Sequence, residues 1–195
     1  MKVVNKEKVK LYILGLIKKR RKDYIKAAVT EFNISNSSAY NYVKEMCEEG
    51  LIEKKDKDYI LKTNSTHYTF KNDGSLGEDE VYKNYVLEHI NFKNNVNHIW
   101  SYAFTEMMNN AIEHSEAENI TVSIFKNCLE TSILIIDDGI GIFKKIQTFI
   151  KETKNQNISL KDCVSLLFAG KFTTAKQLHS GEGIFFTSHI MDIFR

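Results

Sequence analysis

The sequence contains no proline and only three cysteines. Cys47, Cys128 and Cys163 are scattered, odd in number and without the paired spacing of a metal site, which argues against a disulfide framework or structural zinc. No apolar run reaches the roughly 18 residues of a membrane-spanning helix, and no signal-peptide stretch opens the chain. We therefore expect a soluble, cytoplasmic protein without a membrane partner.

The net charge of +2 conceals an uneven distribution along the chain. Residues 1–62 carry 15 Lys or Arg against 9 Asp or Glu, a net +6, whereas residues 63–195 carry 12 against 16, a net −4. This asymmetry predicts different binding partners for the two parts.

Apolar spacing and turn residues predict an α+β protein of two domains, residues 1–65 and 66–195. In the third helix of the first domain, Ala39, Tyr40, Val43, Met46 and Cys47 form the apolar stripe. The first domain is predicted to have helices at 6–17, 24–31 and 37–48 and a hairpin at 53–61. Residues 63–77 predict a linker or an irregular strand. The second domain is predicted to have helices at 78–89, 96–115, 143–150, 160–169 and 184–194, and strands at 119–125 and 132–136.

One group of polar residues lies on the predicted helix 96–115. Glu106, Asn110 and Glu113 share one face, so a carboxylate stands one turn from an amide oxygen. The amide oxygen of Asn110 suits Mg²⁺, and Glu106 is placed to orient or deprotonate a water molecule. The alternative is an amphipathic helix with a solvated polar face.

A second motif, Asp137-Asp138-Gly139-Ile140-Gly141, follows the apolar strand. A carboxylate at Asp137 can accept a hydrogen bond from an exocyclic amino group, and Gly139 and Gly141 allow the backbone to approach a flat ligand. A plain Asp-Gly turn is the alternative.

A third motif is glycine-containing and leads into the last helix. Glycines before a helix expose free N–H groups, which favours a phosphate site, whereas the alternative is a flexible loop that caps the helix. The candidate residues are Lys171, Thr173, Thr174, Ser180, Gly181 and Gly183. The spacing fits neither a P-loop nor a dinucleotide fingerprint.

The order of these motifs resembles the GHKL ATPase family of gyrase and the histidine kinases, over about Phe104 to Phe194. The resemblance implies an α/β sandwich in which helices cover one face of a mixed sheet, with ATP and Mg²⁺ as cofactors. It also implies that Asn110 binds Mg²⁺, Glu106 is catalytic, Asp137 contacts adenine, and the glycine pairs form the two glycine boxes. The family continues into further closing strands, so this domain is expected to be incomplete at its C-terminus.

The first domain resembles a winged helix-turn-helix, in the pattern from Ile34 to Ile52 followed by a charged wing. The resemblance implies that helix 37–48 enters a DNA major groove, with the net +6 serving phosphate contacts. A winged helix used for protein contacts is the alternative. The candidate DNA-binding residues are Asn36, Ser37, Ser38, Asn41 and Lys44.

The combination is similar to a little-characterised prokaryotic group of regulators. We expect a transcription regulator that is switched by ATP occupancy, through ordering of the segment 143–174, and that has a protein partner or forms a homodimer. A serine/threonine kinase of the anti-sigma type and a nucleotide-free interaction module are the alternatives. A sensor histidine kinase is excluded because the chain has no room for a phospho-acceptor hairpin.

Overall fold

The computed structural model describes residues 5–90, 92–169 and 183–195. These residues form helices and small sheets, which confirms a mixed α+β chain. The chain divides into two compact units. The first unit contains the residues up to Ser65 together with Phe125–Ser132, and the second contains Thr66–Ile124 and Ile133–Arg195. The sequence does not predict the inclusion of 125–132 in the first unit.

The first unit has three helices followed by a hairpin, close to the predicted bounds. Side-chain caps start two of the helices, because Asn5 Oδ1 accepts from the amides of Glu7 and Lys8 and Ser35 Oγ accepts from the amide of Ser38. Asn33 ends the second helix with a left-handed φ of 50°. The elements are α1 (Lys6–Lys18), α2 (Tyr24–Phe32), α3 (Asn36–Glu48), β1 (Ile52–Lys55) and β2 (Asp58–Leu61), with Ile52 opposite Leu61.

Apolar residues from all three helices and from β1 form the core of the first unit. Leu129, from the segment 125–132, packs against this core. The prediction for Tyr40 is wrong, since its side chain is 62% exposed. The residues of α3 that face the core are Ala39, Val43 and Met46, and Tyr40 lies one residue, or about 100°, further round the helix.

The second unit contains a three-stranded sheet of β3 (Asn64–Lys71), β4 (Asn119–Lys126) and β5 (Thr131–Asp137), in that order. The residues predicted as a linker or irregular strand are therefore largely a regular strand. Side-chain hydrogen bonds between His67 and Ser123 and between Thr69 and Thr121 match an antiparallel register of β3 and β4. The amides of Asn127 and Asp138 donate to Glu130 and Asn119 at the two ends of the β4–β5 pair.

One face of this sheet packs on the helices of the second unit. Helix α4 (Glu78–Val81) continues as a π turn to Val86 and a short 3₁₀ turn to His89, and α5 (Asn94–His114) follows. Apolar side chains alternate along the strands toward these helices, as expected for a half-buried sheet. The buried residues of this core are Val81, Tyr82, Val86, Ile90, Phe104, Met108, Ala111, Ala117, Ile120, Val122 and Ile124.

The remaining described helices are α6 (Ile142–Lys154), α7 (Leu160–Phe168) and α8 (Gly183–Ile190). Helix α6 extends four residues past its predicted end at Ile150, because Lys151 and Lys154 suit a helix C-terminus and Asn155 ends it with a left-handed φ of 51°. Helix α8 ends at Ile190 and not at 194. Among the described helices, none is both long and apolar enough to cross a membrane.

Candidate functional site

Helix α5 carries both Glu106 and Asn110, as the sequence predicts. Both side chains are half-buried. The neighbouring face of the helix is apolar, and Phe104, Met108 and Ala111 are buried in the core of the second unit. Core packing therefore fixes the rotation of α5 about its axis, and the polar face that bears Glu106 and Asn110 is fixed with it.

Asp137 is the last residue of β5 and is half-buried. Its Oδ1 accepts a hydrogen bond of 3.1 Å from the amide of Gly139, which closes a short turn. Its Oδ2 accepts no hydrogen bond from any residue that the structure describes. A carboxylate held by one oxygen, with the other free to accept, fits the predicted contact with an exocyclic amino group of adenine.

The two glycines of this loop have different surroundings. A Cβ added at Gly139 would lie 2.0 Å from the carbonyl oxygen of Ser115 and 2.9 Å from the amide nitrogen of Ala117. The amide of Ile140 donates to the same Ser115 carbonyl at 2.9 Å. Gly139 therefore serves a close approach between two backbone segments. Gly141 has a φ of 78° and no atom within 4 Å of an added Cβ, so its space remains open.

Asp138 and Ser115 fix the position of this loop, although the sequence analysis assigned them no role. Asp138 Oδ1 accepts from the amides of Glu118 and Asn119, both at 2.9 Å, and Oδ2 accepts from Asn119 Nδ2 at 2.8 Å. The side-chain hydrogen bond from Asn119 and the backbone amides hold the pKa of the Asp138 carboxyl below its usual range. The only sequence signal was the doubled aspartate before Gly139, which does not show which carboxylate is structural.

The first turn of α8 lies against Glu106. A Cβ added at Gly183 would stand 2.0 Å from Glu106 Oε2 and 3.0 Å from its Cδ. Residues from the first and third motifs are therefore in contact. The other candidate phosphate-binding residues, Lys171, Thr173, Thr174, Ser180 and Gly181, lie outside the described residues.

Both glycine motifs thus contact a single helix. Gly139 contacts Ser115, directly after the end of α5, and Gly183 contacts Glu106 in its middle. Ser115 follows Glu106 by nine positions, which corresponds to about 14 Å along the helix axis. Along α5, Asn110 therefore lies between the contact with Gly139 and the contact with Gly183.

The donor set of the second unit fits a magnesium ion that arrives with phosphate groups. No group of three or more His, Cys, Asp or Glu within the described ranges is arranged to hold a metal ion. Mg²⁺ commonly binds through one or two protein oxygens together with substrate phosphates and water. Asn110 is able to supply one such oxygen, and the remaining ligands would come from the nucleotide and solvent.

The predicted DNA-binding residues all lie on α3, and four of the five are exposed. Asn36, Ser37, Asn41 and Lys44 are exposed. Ser38 is half-buried, and its hydroxyl lies 2.9 Å from Ser35 Oγ at the helix cap. Lys44 forms a 3.8 Å ion pair with Glu48.

Tyr40 belongs to the same exposed face as Ser37, Asn41 and Lys44, because these residues follow one another at three- and four-residue spacing. Tyr40 lies three residues before Val43, and the apolar stripe predicted from the sequence therefore includes it. In the structure it lies about 100° from Ala39, on the exposed side of the helix.

The basic run after α1 is partly neutralised by carboxylates of the first unit. Lys18 pairs with Glu130, and Arg21 Nε donates to Asp23 at 2.8 Å. Within the described part of the chain, Lys19 and Arg20 form no ion pair. Lys19 and Arg20 are therefore the cations of this run that are most available to an external anion.

Comparisons with protein-family models, curated proteins and solved structures found no match to this chain.

Proposed function

We propose that the second unit is a nucleotide-binding domain of the GHKL type and that the chain is a regulator that responds to ATP. One observation carries this proposal: two glycine motifs that are far apart in sequence contact the same helix, at Ser115 and at Glu106. If the Asp137–Gly141 motif were only a turn after a strand, and the Gly183 motif only a loop before a helix, nothing would require both motifs to contact the same helix.

In this proposal each described residue has a defined role. Asp137 Oδ2 accepts from the adenine amino group, and the open space at Gly141 admits the base. Asn110 supplies an oxygen to magnesium, which neutralises phosphate charge. Glu106 orients or deprotonates the attacking group. The amides in the first turn of α8 bind the phosphates.

The described part of the segment 143–174, which is expected to respond to nucleotide, consists mainly of helices α6 and α7. Helices α6 and α7 already share an apolar cluster with Ile146, Ile150, Cys163 and Leu167 at its centre. Ile184 of α8 packs against the same cluster. We therefore propose that nucleotide acts on the position of this packed group through α8, and not on the folding of α6 and α7.

Calorimetry with ATP in the presence and absence of Mg²⁺ tests the nucleotide site. We expect Asp137→Asn to weaken binding of ATP and of adenosine alike, since the base contact is common to both. Asn110→Ala should mainly remove the magnesium dependence. Asp192→Asn, an exposed charge change in the same unit, is the control. No heat of binding with the wild-type chain, or equal binding by all variants, would refute the proposal.

For the first unit we propose a winged helix that binds DNA through α3. The observation in its favour is the exposed row of Ser37, Tyr40, Asn41 and Lys44, which joins hydrogen-bonding groups to an aromatic ring. Side chains of this kind read base edges and the thymine methyl group.

Fluorescence anisotropy with a duplex of randomised sequence, at several salt concentrations, tests this second proposal. We expect binding to weaken with salt, because Lys44 and neighbouring cations displace counterions from phosphates. Tyr40→Ala should weaken binding without changing thermal stability, and Leu11→Ala, an exposed change on α1, is the control. A wild-type affinity that does not respond to salt would favour a protein-binding winged helix.

Incubation of the chain with radiolabelled ATP and cell extract distinguishes a protein kinase from an ATP-responsive regulator. A labelled partner protein that disappears with Glu106→Gln would favour the kinase over the regulator. Release of phosphate alone, or bound ATP without turnover, is the result expected for the regulator.

A further inference from the structure

The contact between Gly183 and Glu106 has a specific geometry. The three atoms nearest to an added Cβ at residue 183 all belong to Glu106, at 2.0 Å for Oε2, 3.0 Å for Cδ and 3.5 Å for Cβ. The Glu106 carboxylate thus occupies the space that a side chain at residue 183 would fill.

We propose that Gly183 is a positioning residue for Glu106. The missing side chain leaves a place for the carboxylate beside the N-terminus of α8, where the helix dipole favours a negative charge. This inference rests on the proposed nucleotide site, since it assigns to Gly183 a role toward the carboxylate of that site in addition to phosphate contact.

The Glu106 side chain is able to move away from an added methyl group, unlike the backbone atoms beside Gly139. The colliding atom at Gly183 is the far end of a long side chain, whereas the colliding atoms at Gly139 belong to backbone. A methyl group at residue 183 should therefore displace the carboxylate without unfolding the second unit. Gly183→Ala is expected to act through Glu106.

Thermal unfolding of nucleotide-free variants tests this coupling without any need for activity. In the wild-type background, we expect Gly183→Ala to lower the Tm by about 3 °C, through overpacking. In a Glu106→Ala background the same change should be neutral or should raise the Tm, because alanine is the better helix former. In a Glu106→Gln background it should again lower the Tm, because glutamine keeps the size of glutamate.

Gly77 offers a matched control, since it precedes α4 and its added Cβ would meet Glu80 Cγ at an ordinary 3.9 Å. Gly77→Ala should change the Tm equally with and without Glu80→Ala. An equal Tm change for Gly183→Ala in the wild-type, Glu106→Ala and Glu106→Gln backgrounds would overturn the proposal.

A nucleotide measurement separates the carboxylate role from a phosphate role. Gly183→Ala should leave the Kd for a non-hydrolysable Mg-ATP analogue within about twofold, and any ATP turnover of the wild type should fall to the level of Glu106→Gln. A tenfold loss of affinity in both the wild-type and Glu106→Ala backgrounds would show that Gly183 serves phosphate instead. If no variant binds nucleotide, the proposed function fails. The Tm changes of Gly183→Ala in the wild-type, Glu106→Ala and Glu106→Gln backgrounds still decide the role of Gly183.

Discussion

The backbone of Gly139 lies directly against the Ser115 carbonyl. A side-chain methyl at residue 139 would stand 2.0 Å from that oxygen and 2.7 Å from its carbon. Neither atom is able to rotate away, because Ser115 is buried and its carbonyl also accepts from the Ile140 amide. The contact joins the loop of residues 137–141 to the C-terminal end of α5, the helix that bears Asn110.

We predict that Gly139→Ala destabilises the second unit by about 3 kcal/mol or more, through forced separation of the two backbone segments. Gly77→Ala, at the N-cap of α4, adds a Cβ that meets nothing closer than 3.9 Å and should cost about 1 kcal/mol or less, because alanine is a poorer N-cap than glycine. Urea unfolding followed by the fluorescence of Trp100, in the second unit, measures both. A cooperative transition at the wild-type midpoint for Gly139→Ala would contradict the contact.

A second glycine lies where alanine is preferred. Gly15 is in the interior of α1, and an added Cβ would meet nothing within 4 Å. Gly15→Ala should therefore stabilise the first unit by about 0.5–1 kcal/mol, since alanine loses less backbone entropy on folding. Hydrogen exchange of α1 amides measures the change, and faster exchange than in the wild type would contradict it.

Elements with local signals were predictable from the sequence. The bounds of α1, α2 and β4 agree within one residue, because apolar periodicity and turn residues such as Asn33 are encoded nearby. Asp137 and Gly139 were recognisable because a strand end followed by glycine is a local pattern.

Features that depend on distant contacts were not predictable. Residues 64–71 are polar on one face and become a strand through pairing with β4, as the Thr69–Thr121 hydrogen bond shows. The structural role of Asp138 depends on Asn119, and nothing in its immediate sequence distinguishes it from Asp137. The place of Leu129 in the first unit likewise arises from packing between segments that are far apart in sequence.

Leu129 provides a test of the segment 125–132. It packs against the core of the first unit, and its neighbour Glu130 pairs with Lys18. Leu129→Ala should destabilise the first unit by about 1–2 kcal/mol, less than for a fully buried leucine because Leu129 is half-exposed. Leu11→Ala, at a side chain that is 60% exposed on the same unit, should cost about 0.5 kcal/mol or less.

Hydrogen exchange in peptides from α1 and α3 measures this effect separately from the second unit. We expect faster exchange in both helices for Leu129→Ala alone. Protection equal to that of the wild type would show that 125–132 is not part of the first unit.

Asp138 gives the chain a predictable dependence on pH. Its pKa is lowered in the folded protein, first by the side-chain hydrogen bond from Asn119 and then by the backbone amides. A carboxyl whose pKa is lower when folded stabilises the protein above its unfolded value of about 4, and this contribution is lost as the pH falls through the folded value. Asp138→Asn should therefore lower the Tm at pH 7.

The difference in Tm between Asp138→Asn and the wild type should narrow as the pH falls below about 4, because the wild-type carboxyl then becomes neutral as well. Asp192→Asn, at an exposed position, controls for the loss of one negative charge. A Tm difference that is constant from pH 7 to pH 3 would show that the hydrogen bonds between Asp138 and Asn119 do not depend on the charge of the carboxylate. A Tm difference from the wild type that narrows at low pH for Asp138→Asn, and not for Asp192→Asn, would assign this loss of stability in acid to the Asp138 carboxylate.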